Sequence, residues 1–336
     1  MQVAHISDLH FVDVNNASVI ARGLHNLSTH VSKVATYYAY AEPRVQQGLL
    51  LDLPLAANGL RTVVVLSGDI SAWPGDPPRV VDDYYSYIDD VINRLPPGSE
   101  LLPILGNHDW GNTISPATFP VFGFGSKHTV YSQTRFEFRH NITKPRVDVR
   151  QDGGVTAVFF MIESNVSCIP ATGIVSQTTL DWLTDTFARG RNDLLGITSA
   201  EYIKAVKILI LHHSPLPLLE YNHAISANDY LQLQLINADP LLHCCKDNVD
   251  MLLFGHTHIP VARAYQGFLT INAGAALSIH GSPFNANFHM IRILDCDTVE
   301  VETFYWLGTS FSSSGSKPIT FKRGTGSTAR GYGRWG

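Results

Sequence analysis

The chain has 336 residues, of which 45% are hydrophobic and 16% are charged. This composition excludes general disorder and predicts a folded protein with a sizeable core. The formal charge of −5 gives no global basic field, so neither a nucleic-acid polymer nor an anionic membrane is favoured as a partner. Four cysteines without a CxxC pair do not form a disulfide scaffold, and no apolar run is long enough to span a membrane. We expect a cytoplasmic protein.

Short apolar strands are predicted along the chain, and each one ends at a cluster of His, Asp or Asn. In chain order the five clusters are Asp8–His10, Gly68–Asp69, Gly106–Asp109, His212–His213 and Gly255–His258. Helical patterns lie between them. The clearest is Pro78–Leu95, where apolar residues recur at every third or fourth position, and further helices are predicted at about 177–188 and after Asp239 as N-cap. Strands that alternate with helices predict an α/β fold.

Two segments stand apart from this alternation. Residues 11–59 are long and partly helical, and because they follow the first polar cluster we expect an insertion that caps the site. The strands continue beyond Ala273 and complete a catalytic domain of residues 1–307. Residues 308–336 are rich in Gly and Ser and predict a C-terminal tail that is either flexible or wrapped on the surface.

The side chains at the strand ends are those that transition metals bind at hydrolytic sites. A pair of metal ions needs one shared anionic oxygen donor and further imidazole, amide or carboxylate donors divided between the ions. A single His at a strand end is more often structural than a ligand. Suitable donors at five strand ends favour a common metal centre over five independent structural roles.

The ordered motifs D-x-H, G-D, G-N-H-D, H-H and G-H-x-H resemble those of the calcineurin-like metallophosphoesterase superfamily, over about residues 3–260. The resemblance implies a four-layer αββα sandwich with two mixed β-sheets flanked by helices. It also implies two metal ions. The first would be held by Asp8, His10, Asp69 and His258, and the second by Asp69, Asn107, His212 and His256. These ions would be divalent or trivalent, and Mn, Fe, Zn, Ni and Co all accept this donor set.

The same resemblance implies a mechanism. A hydroxide that bridges the two metals would attack phosphorus in line, and His108 would protonate the leaving alkoxide as general acid, with Asp109 orienting or tuning it. The adjacent pair at 212 and 213 leaves open which imidazole is the ligand. The His-His-x-Pro form favours His212, with His213 in support.

Differences between this chain and individual branches of the superfamily narrow the class of substrate that we expect. The chain lacks the G-D-x-x-D-R-G and G-N-H-E motifs of protein Ser/Thr phosphatases, and Ala72 stands where purple acid phosphatases have a metal-ligating Tyr. The segment His212–Pro217 is similar to the His-His-Pro-Pro-hydrophobic-Pro form of class III cyclic-nucleotide and glycerophosphodiester phosphodiesterases, with Ser214 in place of Pro. The expected partner is therefore a small phosphoester substrate, a phosphodiester, with a cyclic nucleotide as one candidate.

Alternatives stay open at this point. A phosphomonoesterase would use the same metals, and a non-catalytic protein-binding scaffold would have the same fold. Because every ligand position is filled, the sequence favours an enzyme over a scaffold. Other polar residues are interpreted as structural: His5 lies within the first strand, and Cys244–Cys245 fall on a predicted helix where small apolar packing is the default role.

Overall fold

The structure is a computed structural model, and it describes residues 1–11, 41, 43–71, 78–110, 140–165, 172–217, 233–277, 286–313 and 319–322. The strands are β1 Gln2–Ile6, β2 Thr62–Ser67, β3 Glu100–Ile104, β4 Arg146–Asp152, β5 Val155–Met161, β6 Val206–Ile210, β7 Met251–Phe254, β8 Val261–Tyr265, β9 Phe268–Asn272, β10 Asn287–Ile293, β11 Thr298–Trp306, β12 Phe311–Ser313 and β13 Ile319–Lys322. The helices are α1 Pro43–Ala57, α2 Pro78–Arg94, α3 Asn107–Trp110, α4 Gln177–Arg191, α5 Ser199–Lys204 and α6 Ala238–Cys245. Within these ranges, no helix is long and apolar enough to cross a membrane.

The strands form two mixed sheets. The first has seven strands in the order β12-β11-β10-β1-β2-β3, with β13 also paired to β11, and the second has six in the order β4-β5-β6-β7-β9-β8. In the first sheet β1, β2 and β3 are mutually parallel, while β10 pairs antiparallel with β1. In the second sheet β5, β6, β7 and β9 are parallel. The carboxyl ends of the parallel strands therefore lie together along one edge of each sheet.

Three apolar clusters hold the layers together. The middle cluster joins the two sheets face to face and includes Val65, Phe159 and Ile208, all fully buried. A second cluster packs α1 and α2 on the outer face of the first sheet, and a third packs α4, α5 and α6 on the outer face of the second. Burial of about 25 cal/mol per Å² of apolar surface is the main stabilising term in such layers. The predicted αββα sandwich is confirmed.

The helix patterns were confirmed to different degrees. Helix α2 buries the expected apolar face, which consists of Val81, Tyr84, Ile88 and Val91, and Leu95 directly after the helix is buried as well. Helix α6 begins at Ala238 with Asn237 as N-cap, so the prediction of Asp239 as N-cap is wrong. The Asn237 side chain makes no capping bond to its own helix because its amide donates to Val175 O, at 2.7 Å, and accepts from Val175 N, at 3.0 Å.

The structure describes parts of the predicted insertion at 11–59 and of the predicted C-terminal tail at 308–336. Within 11–59, helix α1 buries Leu49 and Leu53 against the first sheet, and Asp52 accepts a hydrogen bond from the backbone of Phe311 at 2.6 Å. Residues 12–40 and 42 lie outside the described residues, so the cap stays a prediction. In the segment 308–336, β12 and β13 pair with β11, and residues 314–318 and 323–336 lie outside the described residues.

Candidate metal centre

The predicted ligands come together at the edge where the parallel strands end. They follow β1, β2 and β3 in the first sheet and β6 and β7 in the second. All are buried, with exposed fractions between 0% and 8%; they are Asp8, His10, Asp69, Asn107, His212, His256 and His258. Residues that are up to 250 positions apart in the chain therefore share one buried site.

Backbone conformation aims these side chains. Five of the seven have a positive φ between 50° and 71°, namely Asp8, His10, Asp69, His256 and His258. This left-handed region is uncommon for residues other than glycine and costs of order 1–3 kcal/mol for each residue, so it persists where neighbouring contacts impose it. Here Asp8 N donates to Gly68 O and His10 N donates to Asp69 O, both at 3.0 Å. The ends of β1 and β2 thus hold each other in the strained form.

Two motif glycines permit the close approach of these loops. A Cβ atom at Gly106 would collide with Asp69, and one at Gly255 would collide with Ser7 and Asp8. A larger residue at Gly106 would displace Asp69, and one at Gly255 would displace Ser7 and Asp8. The glycines of the G-N-H-D and G-H-x-H motifs are therefore required by space.

The first half of the centre contains Asp8, His10 and His258. His10 Nε2 and His258 Nε2 face each other at 3.1 Å, and Asp8 Oδ1 lies 3.3 Å from His258 Nε2 and 3.7 Å from His10 Nε2. Asp69 Oδ2 lies 3.9 Å from His10 Nε2. Asp8 Oδ1 is buried and, among the described residues, accepts no hydrogen bond. Two imidazole nitrogens and an unsatisfied carboxylate oxygen directed at one point are what a transition-metal ion requires.

The second half contains Asn107, His212 and His256. His212 Nδ1 donates to Ser67 O at 2.8 Å, which directs Nε2 toward Asn107 Oδ1 at 2.9 Å and Asp69 Oδ2 at 3.2 Å. A backbone carbonyl that fixes the far ring nitrogen is a common support for a metal-ligating His. His256 lies beside this ring, with ring centroids 5.0 Å apart. Asp69, His212 and His256 can each place one ligand atom within 4.8 Å of the others.

The electrostatics match a site for cations. Burial alone would raise the pKa of Asp69, but the imidazoles of His212, His108 and His10 hold it well below the ordinary range. Burial would lower the pKa of His212, yet the Asp69 carboxylate outweighs it and raises that pKa to about 9. The His212 proton on Nε2 therefore faces the same two oxygens that a metal cation would face. Burial lowers the pKa of His10 to about 4, which keeps that ring neutral and able to act as a ligand.

The family of the chain follows from a match over most of its length. The family model for calcineurin-like phosphoesterases matches residues 1–260. The chain belongs to this family. The buried His and Asp clusters are consistent with the dinuclear metal site typical of calcineurin-like phosphoesterases.

Solved structures give more distant similarities. A purple acid phosphatase from yellow lupin seeds is 12% identical with a TM-score of 0.49, over 95% of this chain and 53% of that one, so the chain spans about half of its length. Vps29 from Entamoeba histolytica in complex with Zn²⁺ is 13% identical, with a TM-score of 0.37, over 95% and 99% of the two chains. Phosphopantetheinyl hydrolase from Mycobacterium tuberculosis is 14% identical, with a TM-score of 0.39, over 81% and 89%. No curated protein matches the chain significantly.

The predicted acid, His108, lies at the rim of this phosphoesterase site. Its side chain is 15% exposed, more than any of the ligand side chains, and its Nε2 is 3.9 Å from Asp69 Oδ2. The backbone N–H of His108 donates to Asp69 Oδ1 at 2.9 Å, and its ring packs edge-on against His10 with centroids 4.8 Å apart. His108 is thus fixed beside the residue predicted to bridge the ions, and part of its side chain is exposed.

Asp109 is buried below His108, and its carboxylate accepts hydrogen bonds from three backbone amides. Ile70 N and Ser71 N donate to it at 3.0–3.1 Å, and Gly106 N donates to it at 2.8 Å. These bonds tie the loop that carries Asp69 to the loop that carries Asn107 and His108. The direct action of Asp109 on His108 stays a prediction.

His213 makes different contacts from His212, which the sequence favoured as the metal ligand. Its Nδ1 bonds Ser164 Oγ at 2.9 Å, and its ring packs on His256 with centroids 4.4 Å apart. No carboxylate is described next to its Nε2, which is buried without a hydrogen-bond partner in the described part of the chain. The choice of His212 rather than His213 as the ligand stays a prediction.

A sixth polar cluster, Glu163–Asn165, follows β5 and was missed. Ser164 holds His213, and Asn165 Nδ2 donates to Leu105 O at 3.0 Å, next to the G-N-H-D loop. Glu163 lies two residues beyond β5 and lines a small cavity with Ile104, Leu105 and Lys144, and burial raises the pKa of its carboxyl to about 7. The signal was available, since this strand also ends in polar residues, but the segment contains no His and no Gly to mark it.

His5 and Cys244–Cys245 have the structural roles that the sequence predicted. His5 is fully buried and bonds Ser67 Oγ at 2.9 Å, outside the ligand cluster. Cys245 is buried in the apolar cluster around α6, and Cys244 packs at its margin. Cys244, Cys245 and Cys296 are free thiols.

Proposed function

We propose that the chain is a dinuclear-metal phosphoesterase that hydrolyses a small phosphodiester. The observation that carries the proposal is the buried cluster in which Asp69 lies between two further sets of carboxylate, imidazole and amide donors. Asp8, His10 and His258 would complete the first ion's shell, and Asn107, His212 and His256 would complete the second. When bound, two such ions stabilise charge on phosphoryl oxygens and lower the pKa of a bound water to about 7.

The protein's own residues supply positioning and a proton. His108 lies at the open side of the cluster, so its Nε2 would deliver the proton to the leaving alkoxide oxygen. The backbone bond from His108 to Asp69 fixes that ring relative to the bridge. Asp109 would hold both loops in register and act on His108 through the backbone.

The preference for a diester is supported by the sequence of the loop after β6. The segment His212–Pro217 is similar to that of class III cyclic-nucleotide and glycerophosphodiester phosphodiesterases, and a cyclic nucleotide stays a candidate substrate. Polymeric nucleic acid is not favoured, because the formal charge is −5. A cytoplasmic location stays a prediction.

Turnover by the Mn²⁺-loaded protein tests the proposal. We expect bis-p-nitrophenyl phosphate and a panel of cyclic nucleotides to be hydrolysed faster than p-nitrophenyl phosphate at equal metal loading. The reverse order would favour a phosphomonoesterase. Absence of turnover on every phosphoester by protein that holds two ions would favour a scaffold.

Variants separate the role of His108 from general damage. His108→Ala should retain both ions and lose about 10²–10⁴-fold in kcat. His243→Ala, at an exposed position on α6, is the matched control and should retain full activity. Unchanged turnover in the His108 variant would refute the acid role.

A further inference from the structure

Asn272, the last residue of β9, holds the loop between β7 and β8. This loop, Gly255–Ile259, is called here the histidine loop because it carries His256 and His258. The Asn272 side chain is fully buried, and its Nδ2 donates to Thr257 Oγ1 at 2.5 Å and to Ile259 O at 2.6 Å. One amide group thus uses both of its N–H bonds on the residues that flank His258.

The histidine loop needs such a restraint because its backbone is strained. His256 has a φ of 71° and His258 a φ of 56°. Left-handed conformations at residues other than glycine persist only where surrounding contacts impose them. Inside the loop, Thr257 N donates to Gly255 O at 2.8 Å, and Ile259 N approaches Thr257 Oγ1 at 3.4 Å. The two bonds from Asn272 connect this tight turn to a strand of the sheet.

Asn272 is itself anchored on its main-chain side. Its carbonyl accepts a hydrogen bond from His289 Nε2 at 2.8 Å, and His289 Nδ1 bonds Thr303 Oγ1 at 2.9 Å. The histidine loop is therefore connected through β9 to β10 and β11 of the other sheet.

The side-chain oxygen of Asn272 adds a cost to the burial of this residue. Asn272 Oδ1 is buried and has no hydrogen-bond partner among the residues that the structure describes. A buried polar atom without a partner costs about 1–3 kcal/mol, and such an atom in a native core calls for a reason. The two donated bonds to the histidine loop supply one.

We propose that Asn272 is a positioning residue of the metal centre, which sets the directions of His256 and His258 and thereby the affinity for both ions. This inference rests on the proposed ligand roles of these two histidines. Residues outside the ligand shell that orient ligands typically change metal affinity by about 10–100-fold when they are replaced.

Metal affinity of the full chain tests the inference. Mn²⁺ is titrated into metal-free protein by calorimetry, for wild type, Asn272→Leu and Thr257→Val. We expect N272L, which removes both donated bonds at similar volume, to weaken Mn²⁺ binding about 10–100-fold. T257V removes one acceptor only and should weaken binding less, by about 3–10-fold. The double variant should bind about as weakly as N272L, because both changes remove a shared bond.

A matched control separates positioning from loss of packing. Asn237 also makes two hydrogen bonds to a loop, at Val175, and that loop carries none of the predicted ligands. Asn237→Leu should lower the melting temperature of the metal-free protein without changing Mn²⁺ affinity. The absorption spectrum of the Co²⁺-loaded protein, which reports the ligand geometry, should shift in N272L and stay as in wild type in N237L.

The outcomes distinguish this inference from the proposed function. If wild type binds two Mn²⁺ ions and both N272L and T257V bind them within about twofold of wild type, the positioning role is overturned and the metal centre stands. Equal weakening in N237L also overturns it. If wild type binds no Mn²⁺, the proposed function fails and this inference fails with it. T257V is isosteric and keeps the test decisive should N272L not fold.

Discussion

His212, in the second half of the centre, has both ring nitrogens directed at protein oxygens, whereas His10 and His258, in the first half, face each other across 3.1 Å. His10 Nδ1 and Asp8 Oδ1 are buried and lack hydrogen-bond partners in the described structure. Asp69 lies between the halves. The difference indicates that hydrogen bonds orient the ring of His212 directly, whereas His10 and His258 are placed by their strained backbone and, for His258, by the Asn272 bonds to its two neighbours.

Replacing the residue between the halves should have the largest effect. Asp69→Asn keeps the size of the side chain and removes the charge that both ions would share. We expect loss of both Mn²⁺ ions and a fall in kcat/KM on the order of 10³-fold or more, beyond the 10–100-fold typical of supporting residues. Metal content by mass spectrometry and diester turnover measure this. Two ions bound at wild-type affinity would show that Asp69 does not bridge.

Matched variants of the two halves come next. In metal-free protein, His212→Asn breaks the bonds to Ser67 and Asn107 and leaves the buried Asp69 charge without its nearest partner, at an expected cost of about 3–5 kcal/mol. His10→Asn should cost less, because the ring is neutral there and makes fewer bonds. Urea unfolding in the presence of a chelator gives both values. Equal losses would remove the distinction between the halves.

Weakening the hydrogen bonds of Asp109 to the two loops should have the next largest effect. Asp109→Asn weakens the bonds to Ile70, Ser71 and Gly106, and we expect about 1.5–3 kcal/mol of lost stability together with weaker Mn²⁺ binding. Asp250→Asn is the control, since Asp250 is also buried and accepts from Lys207 N at 2.8 Å, before β7 begins. That variant should lose stability and retain Mn²⁺ affinity. An unchanged affinity in the Asp109 variant would reduce Asp109 to a structural role.

The smallest effect is expected at Glu163, which follows β5 and lines a small cavity. Burial raises the pKa of this carboxyl from 4.5 to about 7, so the folded state holds its proton more tightly than the unfolded state. Wild type should therefore lose stability as the pH rises from about 4.5 to about 7, and Glu163→Gln should not show this loss. We expect the two proteins to match near pH 4. At pH 8 the variant should be more stable by about 1–2 kcal/mol, which is less than the full shift would give because solvent screens the partly exposed carboxyl. Urea titrations at both pH values measure the free energy of unfolding of each protein. A difference between them that does not change with pH would contradict the role of the buried Glu163 carboxylate.

The sequence predicted those parts of the molecule in which a local residue pattern indicates a single structure. The five polar strand ends and the apolar face of α2 were read from residue type and spacing, and the structure brings those strand ends together. Helix α1 was only partly predicted, because Leu51 and Leu55 on its outer side are about half or more exposed and hide the buried stripe of Leu49 and Leu53.

Other features depended on contacts between distant residues. Asp239 followed by Pro240 gave the stronger N-cap signal, and the sequence could not show that Asn237 bonds Val175, which lies 62 positions away. Asn272 has no motif around it, and its role follows only from the approach of β9 to the histidine loop. The polar cluster after β5 carried a strand-end signal, but without imidazoles it did not resemble a metal site.

Each proposed ion would take ligands from both sheets. Asp8, His10 and Asp69 extend from the first sheet and His258 from the second, while Asp69 and Asn107 face His212 and His256 across the same seam. Binding of the proposed ions and packing of the two sheets against each other would therefore be thermodynamically linked, so that each ion would stabilise the folded state. If the proposed ions bind, the metal-free protein should unfold at a lower temperature than the metal-loaded protein, although the apolar cluster between the sheets remains.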